Sequence, residues 1–109
     1  MILVKVHETP NGKLIAVCDK ELLGRRFEEG NKELDLIRYS DFYQGEMEDE
    51  EVFAEGLDPE DFYTVNAIGE RATGVFIKKG IVRKSQVDSV QGIPFVYICR
   101  AFEGTPLEV

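Results

Sequence analysis

Apolar and polar residues alternate from the start of the chain. Ile2, Val4 and Val6 stand against Leu3, Lys5 and His7, which predicts a strand over residues 2–8 with one drier face. Thr9-Pro10-Asn11-Gly12 reads as a turn, Asn-Gly being a hairpin signal, and residues 13–18 return as a second strand. Asp19 is placed to cap a short helix over residues 20–23 that Gly24 ends. After a turn at Glu28-Glu29-Gly30-Asn31, residues 32–37 give a third strand and residues 39–46 an aromatic, polar loop.

The second half carries the stronger helix signals. Residues 48–55 favour a helix with Val52 and Phe53 turned inward and Gly56 as its stop. Asp58-Pro59-Glu60-Asp61 opens another: a cap, a proline at the first position, then acids at the positive end. That helix is only a turn long, because Thr64–Ile68 reads as a short buried strand. Gly69 leads into the best-defined helix, residues 70–79, with Ala72, Val75 and Phe76 as its apolar stripe and Lys78 and Lys79 at its negative end. Residues 87–90, Gln91-Gly92 and residues 95–102 make a final hairpin. The order β-β-α-β-α-β-α-β-β predicts an α+β class: a two-layer sandwich with a mixed, mostly antiparallel sheet and helices on one face.

Composition bounds this picture. With 109 residues, 43% apolar and 31% charged, the chain is globular and amounts to one domain, residues 1–109. No stretch approaches the roughly 20 apolar residues of a membrane span, so no membrane partner is expected. Met1-Ile2-Leu3-Val4 lacks a basic leader and reads as a strand and not a signal peptide. A cytoplasmic location is the expectation. Two cysteines, Cys18 and Cys99, and one histidine, His7, write no disulfide scaffold and no zinc knuckle. Neither a metal site nor a cofactor is expected.

The net charge of −8 is unevenly spread: residues 39–70 carry eleven acidic side chains and no basic one, residues 71–100 six basic ones and only Asp88. Overall acidity argues against a general nucleic-acid binder. It leaves room for a local basic patch from Arg25, Arg26, Arg71, Lys78, Lys79, Arg83 and Lys84, suited to RNA or an acidic protein surface. The acidic block is a solvated face, or else a surface for a basic protein partner or for divalent cations.

Several short blocks then matter by their order and spacing: Lys5-Val6-His7, Ala16-Val17-Cys18-Asp19 with Glu21-Leu22-Leu23-Gly24, Phe27-Glu28-Glu29-Gly30, Leu34-Asp35, Phe42-Tyr43-Gln44-Gly45-Glu46, and Asn66-Ala67-Ile68-Gly69-Glu70-Arg71. Through them the chain resembles an archaeal family of unknown function, number 424 in the domain-of-unknown-function series. The resemblance implies an archaeal cytoplasmic protein with a compact α/β two-layer fold and no established activity. The family's company in genomes implies a link to translation. The chain departs from the family near its end, where Gly92-Ile93-Pro94-Phe95-Val96-Tyr97 stands in place of a Gly-Val-Pro-His-Ala-Gln type stretch. A role built on that histidine does not carry over.

Three groups of candidate residues follow. Asn66, Gly69, Glu70 and Arg71 lie where a strand opens into a helix, and free N–H groups at such an end bind anions; alternatively Gly69 only permits the turn. Phe42, Tyr43 and Glu46, with Tyr39, form an aromatic loop that could stack bases, fill a partner's pocket, or simply pin itself to the core. Cys18 and Asp19 precede a short helix, where a thiol can become nucleophilic with His7 as its base; an inert thiol is the plainer reading. No catalytic residue is assigned, and whether the chain is an enzyme stays open. The leading expectation is a non-enzymatic binding module on a larger archaeal assembly, linked to RNA or translation. The alternatives are a small ligand-binding domain or enzyme with an anion site at residues 66–71, and a homo-oligomer subunit.

Overall fold

The fold is taken from a computed structural model that describes residues 1–99. The first hairpin forms as the alternation predicts: β1 (Ile2–Thr9) and β2 (Gly12–Asp19) are antiparallel, with Leu3 opposite Cys18 and His7 opposite Leu14. A 3-10 turn at Lys20–Leu22 leads to a second hairpin, β3 (Arg26–Glu29) and β4 (Lys32–Asp35). The expected aromatic loop contains one helical turn, α1 (Ser40–Tyr43), before a short strand β5 (Glu46–Glu48). Helix α2 (Glu50–Gly56) follows, its cap Asp49 accepting the N–H groups of Glu51 and Val52. After a 3-10 turn at Pro59–Asp61 come β6 (Thr64–Ile68), α3 (Glu70–Lys78), and the hairpin β7 (Asp88–Val90) with β8 (Ile93–Cys99). The expected strand end at residues 100–102 lies outside the described residues.

Six strands make one sheet in the order β5-β1-β2-β6-β8-β7, and only β2 and β6 run parallel. The class is therefore α+β with a mixed, mostly antiparallel sheet. Period-two alternation divides its side chains between two cores. Ile2, Val4, Ile15, Val17, Val65, Ala67, Val96 and Ile98 face α2 and α3, where they meet Phe53, Leu57, Ala72, Val75 and Phe76. Phe76 is wholly buried, edge-on to both Phe53 and Phe62; burial of such a ring contributes about 2–3 kcal/mol.

The opposite face is covered as well, which adds to the sandwich expected from sequence. Leu3, Ala16, Cys18 and Ile68 pack there against Phe27, Leu34, Leu36 and Tyr43. The β3–β4 hairpin and α1 thus form a flap over one end of the sheet. One expectation for α2 is corrected: Phe53 is buried, but Val52 is 62% exposed, because the face turned to the core is that of Phe53, Ala54 and Leu57 and Val52 lies beside it.

Candidate functional site: a flap cleft and an acid-rimmed groove

The strand–helix junction at residues 66–71 is split by the sheet. Gly69 and the start of α3 meet Asp19, whose carboxylate accepts the N–H groups of Ala72 at 2.8 Å and Arg71 at 3.2 Å. The positive helix end therefore already holds an anion, supplied by the protein itself. Gly69 is required twice: its φ of 110° suits only glycine, and a Cβ would overlap the Asp19 carboxylate. Asp19 does not cap the following turn, as its position in sequence had predicted; no side-chain cap bond forms there. Burial raises its carboxyl pKa against the opposing effect of the Ala72 and Arg71 N–H groups.

Arg71 is likewise committed. Its guanidinium pairs with Glu21 at 2.8 Å and Glu50 at 3.0 Å, and Glu50 also meets the chain's amino terminus at 3.1 Å. The Glu50 carboxyl is held below its ordinary range by its own backbone N–H and by that terminus. Glu70 opens α3 on the surface. An external anion at this junction would meet Asp19, Glu21 and Glu50.

Asn66 faces the other way. Its amide oxygen accepts the Tyr43 hydroxyl at 2.8 Å, and it joins Ile68 in lining a cleft of about 380 Å³ under the flap. Tyr39, Phe42 and Tyr43 form one wall of the cleft, and Glu33, Leu34 and Asp35 the other. Two separate sequence candidates, Asn66 and the aromatic loop, are thus brought into one place. Phe42 stacks on His7 at a centroid distance of 4.3 Å, and His7 Nε2 bonds the Phe42 carbonyl oxygen at 2.9 Å. His7 is therefore half-buried and pins α1 to β1; it does not simply face water. Burial drives the Tyr43 phenol well above its ordinary range. Glu46 lies apart, exposed on β5.

Cys18 is a core residue. It is wholly buried, and desolvation, then Asp19 and Glu21, push its thiol up to about 12. His7 pairs four residues further along β1 than Leu3, the partner of Cys18, roughly 13 Å away along the strand. The two do not form a nucleophile–base pair, which corrects the catalytic reading of Cys18. The basic group also divides. Arg26 is held by Glu28, Glu33 and Asp35, Arg71 as above, and Lys78 and Lys79 share a shallow recess with Glu51 and Glu55.

On the helix side of the sheet lies a groove of about 500 Å³ that sequence reasoning missed. Val4, Val6, Ile15, Val52, Phe53, Leu57 and Phe62 form its apolar surface. Glu48, Asp58 and Asp61 rim it, with Lys13 the only cation among the lining residues. Val6 and Val52 are 53% and 62% exposed. The missed signal was the pairing of these two valines with the acidic block: the periodicity had assigned both to the interior.

These features define a small α+β domain carrying an aromatic flap cleft and an acid-rimmed groove, with no cluster of three metal-ligating side chains and no helix long and apolar enough to cross a membrane among the described residues. The chain belongs to the family described as protein of unknown function DUF424, which matches residues 7–101. It is similar to the crystal structure of an uncharacterized conserved protein from Methanopyrus kandleri, at 28% identity over 89% of each chain with a TM-score of 0.73. No curated protein matches it. Neither likeness carries an assigned activity.

Proposed function

We propose that this chain is a non-enzymatic binding module that docks on a larger assembly by taking a basic, apolar-anchored segment of a partner protein into the acid-rimmed groove. The observation that carries this reading is the exposure of Val6 and Val52 on a concave surface rimmed by Glu48, Asp58 and Asp61. Concave apolar surface with charge of one sign at its edge favours an occupant of the opposite sign. The dense acidity of residues 39–70 extends that field. The commitment of Arg26 and Arg71 to carboxylates weighs against a phosphate-binding face.

Calorimetry with a lysine- and valine-rich peptide tests the reading. Binding that weakens with salt and is lost in Val52→Glu and Asp61→Lys, both surface changes, is the expected result. No peptide binding, or binding of single-stranded RNA alone, would count against it.

A second reading rests on Asn66. Its Nδ2 has no hydrogen-bond partner among the described residues and opens on the aromatic flap cleft. That arrangement supports capture of a small planar ligand bearing an acceptor at its edge. Asn66→Leu should then remove ligand binding while the groove keeps its peptide.

A further inference from the structure

The groove runs along an edge of the sheet that is only partly covered. Strand β5 pairs with β1 at Ile2, Leu3 and Val4 and goes no further, whereas β1 continues to Thr9. The direction of the uncovered backbone groups follows from two contacts. Tyr63 N–H donates to the Lys13 carbonyl at 2.7 Å, so Lys13 turns toward β6 and its partner Glu8 turns away from β2. The Val4 carbonyl lies against Gly45, the residue just before β5, where a Cβ would collide with it. By alternation Val4, Val6 and Glu8 all present N–H and C=O to the outer edge.

β5 reaches Val4 alone among these. Beyond the strand pairings, neither Val6 nor Glu8 has a backbone hydrogen bond to another segment among the described residues. A recess of about 360 Å³ lies along this stretch, lined by Val4, Lys5, Val6, Gly45, Glu46 and Glu48. α1 does not fill it, because Phe42 carries that turn to the far face against His7. An edge of this kind is a template for an added strand.

From this we infer that the partner segment binds by strand addition: it extends the line of β5 along Val6 and Glu8, antiparallel to β1. The inference rests on the groove reading above. In that register, partner residues opposite Val6 and Glu8 project to the same face as those side chains, into the groove. Glu46, Glu48, Asp58 and Asp61 surround that face, Glu8 pairs with Lys13 at 3.8 Å beside it, and Val6 and Val52 lie within it. The partner chemistry is then an extended stretch with an apolar residue flanked by lysine or arginine at alternate positions. The long basic stems cover Val6 and Val52 while their heads reach the carboxylates.

The test uses the full chain and the peptide Thr-Lys-Thr-Val-Thr-Lys-Thr. One version is N-methylated on the valine and lysine amides, and a second on the inner threonine amides. Strand addition predicts binding of the parent and of the threonine-methylated peptide. It predicts a loss of about ten-fold or more for the valine- and lysine-methylated one. Equal binding of both methylated peptides, with Val52→Glu still abolishing it, overturns strand addition and leaves the groove reading standing. Binding of a helical lysine-rich amphipathic peptide in place of this one does the same. Failure of every basic peptide overturns both.

Discussion

The Tyr43 hydroxyl donates to the Asn66 amide oxygen at 2.8 Å, tying the aromatic turn α1 to the central strand β6. The phenol is buried, so its hydroxyl has little access to water. Tyr43→Phe should lower stability by about 1 kcal/mol, the net worth of one such bond. Urea unfolding should report this as a shifted midpoint with an unchanged slope.

Gly69 and Asp19 form the second such tie. Gly69→Ala places a Cβ into the Asp19 carboxylate at a φ that alanine resists, and costs roughly 3 kcal/mol or more from strain and the lost cap together. Asp19→Asn separates the cap from its charge. Because burial raises the Asp19 pKa above 3.8, its contribution is fully present below that value and declines as pH rises through the folded value. Wild type and Asp19→Asn, unfolded in urea across acidic pH, should therefore diverge in the variant's favour as pH rises. Parallel curves would contradict this assignment.

Cys18 gives an alkaline counterpart. Its thiol ionises near 12 in the fold against 9.0 as the ordinary value. The unfolded chain then binds fewer protons between these values. Stability is fully present below about 9 and falls by up to about 1.4 kcal/mol per pH unit above it. Cys18→Ala should flatten that slope. At neutral pH, alkylation of native protein should modify Cys99, which is only partly buried, well before Cys18.

The Arg71 network is exposed and should matter little to stability. Its guanidinium is half exposed, so Arg71→Ala is expected to cost under about 1 kcal/mol after solvent screening. Inorganic phosphate should produce no saturable shift of the Ala72 amide in wild type, because Asp19 occupies it. A saturable shift would restore the anion-site reading of this junction.

The parts of the fold legible in the sequence were those with local punctuation. Asn11-Gly12 marked the first hairpin, and Gly69 with the Ala72, Val75, Phe76 stripe marked β6 and α3. Less visible were the elements whose partners are distant in sequence. Phe27 and Leu34 each stand nearly alone among charges in β3 and β4, and only the apolar sheet face at Cys18 and Ile68 gives them something to cover. Glu46–Glu48 becomes a strand because β1 offers an edge, against the helical preference of glutamate. The candidate residues were legible as types, but not the sheet that sends Asn66 and Arg71 to opposite faces. Asp19 reads locally as a cap for the next turn; it caps a helix some fifty residues on, a pairing no local pattern encodes.

Binding of a basic segment along the open edge of β1 is tested by amide chemical-shift mapping of the labelled protein with Thr-Lys-Thr-Val-Thr-Lys-Thr. Saturable shifts at Val6, Glu8 and Val52, with new protection from exchange at the Val6 and Glu8 amides, are the predicted result. Shifts confined to Tyr39, Tyr43 and Asn66, or no saturable shift at all, would contradict it.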